Sequence, residues 1–316
     1  MTRTIQSLEN CRRRLSCAAL FALLFVFSFA CVEVRAAWRA AGNVVAVARE
    51  TNGVVLTLSS GARVAVSFFD LDVVRVRLAP RGVFERDYSY ARWSRDRKTV
   101  AAVITETRAG VEITTRVEGP KIVIRREPFA VTVVDARGQV VVEDDAARPV
   151  SFDAETGAVE ASKRRDELEF YYGFGEKALP TSRQGQVMVN WNTDAYAYQL
   201  GNDPIYQSVP FFIALRQGRA YGLFFDNTYR THFDMGRTAA KRYTFGADGG
   251  ELNYYVFTGG RERTPQKVLT DYTELTGRTP LPPLWALGYQ QSRYSYYPES
   301  KVRDIARQFR ARKIPA

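Results

Sequence analysis

Short stretches of alternating apolar and polar residues fill the chain from residue 42 to about 150. Residues 73–78 read Val-Val-Arg-Val-Arg-Leu, so apolar side chains recur with the period of two expected of a half-buried strand. Asn52-Gly53 separates two apolar runs and is a strong hairpin-turn signal. Further strands are predicted at 44–47, 54–58, 64–66, 111–114, 121–124, 129–134 and 140–142. Short strands separated regularly by turns predict a β-sandwich.

The second half of the chain continues with strands that are richer in aromatic residues. They are predicted at 209–215, 221–225, 243–245 and 252–257. Before them lies a long polar and aromatic segment, residues 173–207. Long loops in compact domains are either functional or disordered. Because this one contains Trp191 and several tyrosines, we expect it to be ordered and functional.

A helix is predicted directly after the last of these strands. Thr264 can cap it, Pro265 suits its first position and Gly277 can end it. The spacing of the apolar residues predicts a buried face made of Val268, Leu269, Tyr272 and Leu275. Residues 279–283 are rich in proline and predict a domain junction.

The last part of the chain has the pattern of one β/α unit. The apolar run 284–289 predicts a strand, and a polar and aromatic cluster follows it. Pro298 then begins a predicted helix, whose apolar face consists of Val302, Ile305, Ala306 and Phe309. In β/α barrels the active site lies at the C-terminal ends of the strands. Arg293 and Tyr294 are therefore candidate substrate-binding residues, although Arg293 could equally be a structural ion-pair partner.

The first 36 residues have the three-part layout of a secretory signal peptide. Several arginines precede an apolar stretch, residues 18–30, which is shorter than the roughly 20 residues of a membrane span. Cleavage after Ala36 predicts a secreted or periplasmic protein without a stable membrane span. The alternatives are lipoprotein anchoring at Cys31, a twin-arginine signal and an uncleaved amphipathic N-terminus.

Composition and charge exclude several classes of function. The chain is 46% hydrophobic and 13% aromatic, which indicates globular domains. Its formal net charge is +11, but the basic residues are scattered among acids, so we expect no nucleic-acid partner. All three cysteines lie within the predicted signal peptide, and His232 is the single histidine. We therefore expect no disulfide, no metal site and no cofactor, and we interpret His232 as structural.

Three motifs in the second half contain residues suited to chemistry. Gly173-Phe174-Gly175 predicts a structural turn, since no helix pattern follows to make a phosphate loop. Asp194 stands between amide, hydroxyl and aromatic side chains, a combination that suits sugar binding, although a turn cap is equally compatible. Asn-Asp-Pro at 202–204 is typical turn chemistry, so Asp203 is interpreted as a turn residue.

Taken in order, these segments resemble glycoside hydrolase family 31, the α-glucosidase and α-xylosidase family. The resemblance covers roughly residues 42 to 316. The matching pieces are Tyr-Gly-Phe-Gly-Glu-Lys at 172–177, Trp-Asn-Thr-Asp at 191–194, Asp-Pro-Ile-Tyr-Gln-Ser-Val-Pro-Phe-Phe at 203–212, Ala-Tyr-Gly-Leu-Phe-Phe-Asp-Asn at 220–227, Pro-Leu-Trp-Ala-Leu-Gly-Tyr-Gln at 283–290 and Arg-Tyr-Ser-Tyr at 293–296. The resemblance implies a mainly β fold: an N-terminal β-sandwich, galactose-mutarotase-like, followed by a (β/α)8 TIM barrel.

The resemblance also implies a mechanism and two site residues. Members are retaining α-glycosidases, in which one aspartate attacks the anomeric carbon and a second acts as acid and then base. Both are implied on later barrel strands, so we expect no catalytic residue in this chain. Asp194 matches a sandwich-loop aspartate that reaches the sugar, and Tyr294 matches a tyrosine that lines the pocket. Glucoside and xyloside specificity stay open.

The expected domains are a signal peptide at 1–36, a sandwich at 37–263, a helix and linker at 264–280, and an incomplete barrel at 281–316. A complete barrel needs about 250 residues, so we expect this truncated form to be inactive alone and poorly packed after residue 284. The alternatives are a non-catalytic secreted carbohydrate-binding sandwich and a polyanion-binding surface protein. The oligomeric state stays open.

Overall fold

The structure of the protein, a computed structural model, describes residues 38–93 and 100–315. The predicted signal peptide, with Cys31 and the other cysteines, lies outside the described residues. Within the described ranges, none of the helices has both the length and the apolar character that crossing a bilayer would require.

Strands are the commonest regular element of the described residues, as the sequence pattern predicts, but seven of the nineteen strands were not predicted, and one of these, Val187–Asn190, lies within the predicted long loop 173–207. The strands are β1 (Trp38–Ala40), β2 (Val44–Glu50), β3 (Gly53–Leu58), β4 (Arg63–Asp70), β5 (Val73–Ala79), β6 (Ala102–Glu106), β7 (Gly110–Thr115), β8 (Lys121–Arg126), β9 (Phe129–Val134), β10 (Val140–Glu143), β11 (Ser151–Asp153), β12 (Val159–Arg164), β13 (Glu169–Gly173), β14 (Val187–Asn190), β15 (Phe211–Arg216), β16 (Arg219–Phe225), β17 (Thr231–Asp234), β18 (Arg242–Ala247) and β19 (Leu252–Phe257). The helices are α1 (Pro265–Thr276), a 3-10 helix (Leu284–Leu287) and α2 (Glu299–Ala311).

The strands pair antiparallel in three sheets. The largest has the order β13-β15-β16-β19-β5-β4-β3-β2, the second has the order β1-β11-β12-β18-β17-β14, and the smallest has the order β10-β9-β8-β7-β6. Apolar residues from all three sheets form one buried cluster. The fold is therefore mainly β, with sandwich-like sheets around a shared core.

The central strand β19 shows how the core is divided into two layers. All six of its residues are buried, because both faces of this part of the sheet are covered. Tyr254 and Val256 belong to the main core, whereas Tyr255 and Phe257 face a second cluster beneath α1. The period of two along a strand places alternate side chains in different layers.

Helix α1 begins and ends where the sequence predicts, but one residue of its predicted apolar face, Leu269, is exposed. Thr264 accepts a hydrogen bond from the Lys267 backbone N–H at 3.3 Å, and Gly277 ends the helix with a φ of 91°. Val268 and Leu275 are buried, whereas Leu269 is 45% exposed. Leu269 points away because one residue turns the direction of the side chain by about 100° around a helix.

The strand predicted after α1 is also absent from the described residues. Residues 284–289, predicted to be a strand, contain instead the exposed 3-10 helix. A strand requires a neighbour for its backbone hydrogen bonds, and no described strand pairs with this segment. It makes local bonds in their place, such as Ala286 N–H to the Pro283 carbonyl at 2.9 Å. Helix α2 forms as predicted, and neither helix has a buried residue, so the expected poor packing is confirmed.

Candidate functional site

The Gly-Phe-Gly motif is a structural turn at the end of β13, as predicted. Phe174 has a φ of 68° and is fully buried against the rings of Phe212 and Phe233. A side chain at Gly173 would lie 2.7 Å from the Phe211 carbonyl oxygen, so glycine is required there. The turn therefore directs the chain from β13 into the long loop region.

A buried ion pair fixes the loop that follows. The Lys177 ammonium lies 2.5 Å from Asp203 Oδ1 and also donates to the Val189 carbonyl. Asp203 Oδ2 accepts from the Val189 backbone N–H at 2.5 Å. The two side chains are only 0% and 9% exposed. The interpretation of Asp203 as a turn residue missed this role, because the partner precedes it by a whole strand and loop.

Asp194 lies in the exposed part of this loop, between β14 and β15. Hydrogen bonds hold the loop on both sides of Asp194. Thr193 N–H donates to the Ile205 carbonyl at 3.1 Å, and the Tyr206 hydroxyl donates to the Ala195 carbonyl at 2.9 Å. The carboxylate is therefore presented to solvent by a supported loop, where a ligand could reach it.

A cleft of about 400 Å³ opens at the base of the loop. It is lined by Ser89, Tyr90, Ala91, Asn190, Trp191, Asn192, Ser208, Pro210, Phe224, Phe225, Asp226, Asn227, Thr228, Tyr229 and Thr231. Asn190 and Thr231 lie opposite each other on the paired strands β14 and β17. Trp191 and Tyr229 are 49% and 54% exposed. Polar groups and exposed aromatic rings thus share one concave surface.

Asp226 is the carboxylate among the described residues that line this cleft, and neighbouring side chains of the protein hydrogen-bond to it. Oδ1 accepts from the Ser89 hydroxyl at 2.7 Å, and Oδ2 accepts from the Asn253 amide at 3.3 Å. Burial raises the pKa of Asp226 above the ordinary aspartate value, although the Ser89 hydrogen bond and the charge of Arg75 oppose the rise. Retaining hydrolysis needs two carboxylates with separate roles, and this cleft contains one.

The adjoining depression contains further carboxylates, among them Asp87. Arg75 donates to it from both terminal guanidinium nitrogens, at 2.9 and 2.8 Å, and Arg92 donates to it at 2.8 Å. Partial burial acts to raise the pKa of Asp87, but the two arginines outweigh it and hold the pKa well below the ordinary aspartate value. Asp87 is therefore an ion-pair partner rather than an acid.

Arg293 and Tyr294 lie in the exposed segment between the 3-10 helix and α2. Among the described residues, no hydrogen bond, ion pair or ring contact joins them to the Asp194 loop, and neither lines the cleft. Tyr294 is fully exposed. The three residues predicted for substrate binding thus lie in two separate exposed segments.

His232 lies in β17, where its side chain faces Glu160. Its Nε2 atom lies 3.6 Å from Glu160 Oε2 across the six-stranded sheet. In residues 38–93 and 100–315, no group of three or more His, Cys, Asp or Glu side chains is placed to hold a metal ion.

Sequence reasoning missed Asn190 and Thr231, although the pattern held a signal. Both β14 and β17 alternate buried and half-exposed residues, and Asn190 and Thr231 occupy buried positions beside Met188 and Phe233. An asparagine at a core-facing strand position has polar atoms that must find partners. That expectation identifies the residue, but only the fold shows that both residues border one cleft.

Two family models match the chain. The Glycosyl hydrolase 31 N-terminal galactose mutarotase-like domain matches residues 63–234. The Glycosyl hydrolases family 31 TIM-barrel domain matches residues 279–316. The first match alone covers more than half of the chain, and the second begins within the predicted junction.

Curated proteins and solved structures agree with these matches. The chain is 43% identical to alpha-glucosidase 2 of Bacillus thermoamyloliquefaciens over 80% of this chain and 31% of that protein. It is 38% identical to alpha-xylosidase XylQ of Lactiplantibacillus pentosus over 38% of this chain and 15% of that protein. A GH31 dextranase of Flavobacterium johnsoniae, solved with isomaltotriose, has 31% identity and a TM-score of 0.79 over 87% of this chain and 33% of that chain. The chain thus spans a third or less of each relative.

Proposed function

Because this chain belongs to glycoside hydrolase family 31, we propose that it is the N-terminal portion of a retaining α-glycosidase that acts on α-glucosides or α-xylosides. The family comprises glycoside hydrolases that act on α-glycosidic bonds. The observation that carries the proposal is the identity of 43% to an α-glucosidase across 80% of the chain. Because one relative is an α-xylosidase, the proposal includes α-xylosides as well as α-glucosides.

In this proposal the sandwich contributes binding, and a complete barrel contributes the chemistry. Asp194 would accept hydrogen bonds from sugar hydroxyls, because carboxylates form charge-assisted bonds with such donors. Arg293 and Tyr294 would line the pocket once the remaining barrel strands pair with their segment. Among the carboxylates of the cleft and the adjoining depression, Asp226 and Asp87 are held by Ser89, Asn253 and arginines, which supports a structural role for these two.

The experiment compares the 316-residue chain with a polypeptide that continues through a complete barrel. We expect the longer polypeptide to cleave an aryl α-glucoside or α-xyloside with retention of anomeric configuration, and the 316-residue chain to release no aglycone. Cleavage by the purified 316-residue chain would overturn the assignment of roles, and an inactive longer polypeptide would overturn the proposed activity.

A substitution of Asp194 tests its proposed role in sugar binding. In the longer polypeptide, Asp194→Ala should lower kcat/KM about ten- to a hundredfold, since a hydrogen bond to a charged group contributes about 1.5–3 kcal/mol. Asp166→Ala, in the turn before β13, is the matched control and should leave kcat/KM unchanged. Equal effects of the two substitutions would remove Asp194 from the site.

We also propose that the protein is exported, and that residues 1–36 are removed as a signal peptide. The support is the arginine-rich start followed by a short apolar stretch. N-terminal sequencing of the exported protein should begin at Ala37. A diacylglyceryl-modified N-terminus at Cys31 would instead establish the lipoprotein alternative.

A further inference from the structure

Three polar atoms on the floor of the cleft lack a hydrogen-bond partner among the described residues. They are both amide atoms of Asn190, Nδ2 and Oδ1, and the hydroxyl oxygen of Thr231. Asn190 is 3% exposed and Thr231 is 1% exposed. Nearly all buried polar side-chain atoms in proteins have a partner. Two such residues side by side, on the floor of one cleft, therefore point to a polar ligand.

Two other polar residues of the cleft, Asn227 and Asp226, are hydrogen-bonded within the protein. The Asn227 amide donates to the carbonyls of Gly249 and Glu251, and its oxygen accepts from the Tyr229 backbone N–H. Asp226 is held in the same way by Ser89 and Asn253. Because these two side chains are already hydrogen-bonded to the protein, the buried polar atoms of this cleft that still lack a partner among the described residues are those of Asn190 and Thr231.

The lining of the cleft indicates the chemistry of the ligand. Among the described residues that line it there is no lysine, arginine or histidine, and its carboxylate, Asp226, disfavours anions. An amide and a hydroxyl can donate and accept at the same time, which matches a molecule carrying several hydroxyl groups. The exposed faces of Trp191 and Tyr229 suit a ligand with an apolar face. A volume of about 400 Å³ lies within the range of small-molecule sites.

We propose that this cleft is a carbohydrate-binding subsite, in which Asn190 and Thr231 hydrogen-bond the hydroxyls of a pyranose ring and Trp191 packs against its C–H face. The inference takes the class of ligand, an α-linked glucose oligosaccharide, from the proposed function. The cleft is a second proposed sugar-binding surface beside Asp194. Trp191, at the start of the Asp194 loop, lines the cleft, whereas Asp194 lies outside it.

The test measures binding of maltotriose and isomaltotriose to the 316-residue chain by saturation-transfer NMR and calorimetry. We expect saturable binding to the unsubstituted chain. Asn190→Leu and Thr231→Val should each raise Kd about tenfold, because each removes hydrogen bonds to the sugar. Trp191→Ala should have a similar or larger effect. Trp38→Ala is its control, since Trp38 is 43% exposed but lies outside the cleft.

A thermal melt separates binding from folding. Thr231→Val removes a hydroxyl that has no protein partner, so Tm should stay the same or rise while sugar binding weakens. A fall in Tm together with unchanged binding would show a structural hydroxyl and overturn the proposal. Absence of saturable binding, or binding that all three cleft variants leave intact, would overturn it as well.

The two proposals fail in different ways. If the longer polypeptide hydrolyses α-glycosides but the cleft variants of the 316-residue chain bind sugar normally, the subsite is wrong and the proposed activity stands. If sugar binds at Asn190 and Thr231 but the longer polypeptide is inactive, the subsite stands and the proposed activity is wrong.

Discussion

The buried pair of Lys177 and Asp203 shows how single residues position the loop of the candidate site. Lys177 reaches from the strand-end turn to Asp203, and Asp203 also binds the Val189 backbone. The Asp194 loop is thereby held, through Asp203, against β14 and against the turn that follows β13. Charges that are this well buried are tolerated because each is paired and hydrogen-bonded.

Removal of one partner of the Lys177–Asp203 ion pair should strongly destabilise the folded protein. Lys177→Met leaves the Asp203 carboxylate buried without its counter-charge, so the free energy of unfolding should fall by about 3–5 kcal/mol. Urea denaturation followed by circular dichroism measures the change. Arg261→Met is the control, because Arg261 and its partner Glu118 are 70% and 68% exposed and the pair should contribute at most about 1 kcal/mol. Equal losses in the two variants would contradict a dominant role for the buried pair.

At the scale of elements, the contact between α1 and the eight-stranded sheet depends on a small residue. Val268 of α1 packs over Gly222 of β16, and Tyr272 stacks on Phe211 with ring centroids 3.8 Å apart. A methyl group at Gly222 would lie 2.6 Å from Val268 Cγ1. The absence of a side chain at Gly222 therefore sets how closely the helix approaches the sheet.

This contact predicts a compensating pair of substitutions. Gly222→Ala should destabilise the protein by about 1–3 kcal/mol, since overpacking forces the helix from the sheet. Val268→Ala alone should also destabilise it by leaving a cavity. In the double variant the added methyl group fills the vacated space, so the total loss should be smaller than the sum. Urea denaturation of the three variants tests this, and strictly additive losses would show that the two residues do not interact.

Twelve of the nineteen described strands and α1 could be predicted from sequence because their signals are local. The alternation of apolar and polar residues in β5 depends on neighbouring residues alone. The same holds for the signals that begin and end α1, which are Thr264, Pro265 and Gly277. The prediction of a strand at 284–289 was wrong, because a strand also needs a partner that the same residues do not encode. The pairing of Lys177 with Asp203 was missed for a similar reason, since it joins two loops.

At the scale of the whole molecule, the chain divides into a well-packed sandwich and a weakly packed final segment. The sandwich core extends through all three sheets, while Leu284 and Trp285 are 86% and 79% exposed. Helix α2 contacts the preceding segment through Tyr289 and Phe309, whose ring centroids are 5.4 Å apart. An apolar face with so few partners is suited to packing against further barrel elements.

Hydrogen exchange should report this division. Amides of residues 284–315 should exchange much faster than those of β5 and β19, because local opening there breaks few buried contacts. In a polypeptide with a complete barrel, the same amides should become protected as their apolar residues are covered. Protection of 284–315 equal to that of the sandwich in the 316-residue chain would contradict the prediction.

The sequence by itself determined the strand-rich character of the sandwich, the limits of α1 and the Gly-Phe-Gly turn, because periodicity, capping and glycine conformation are properties of neighbouring residues. Only the tertiary structure decided that Asn190 and Thr231 share one cleft, that Lys177 holds Asp203, and that residues 284–287 form a 3-10 helix. These features depend on groups distant in sequence, whose burial and hydrogen bonding are settled only when the strands pair and the sheets pack together.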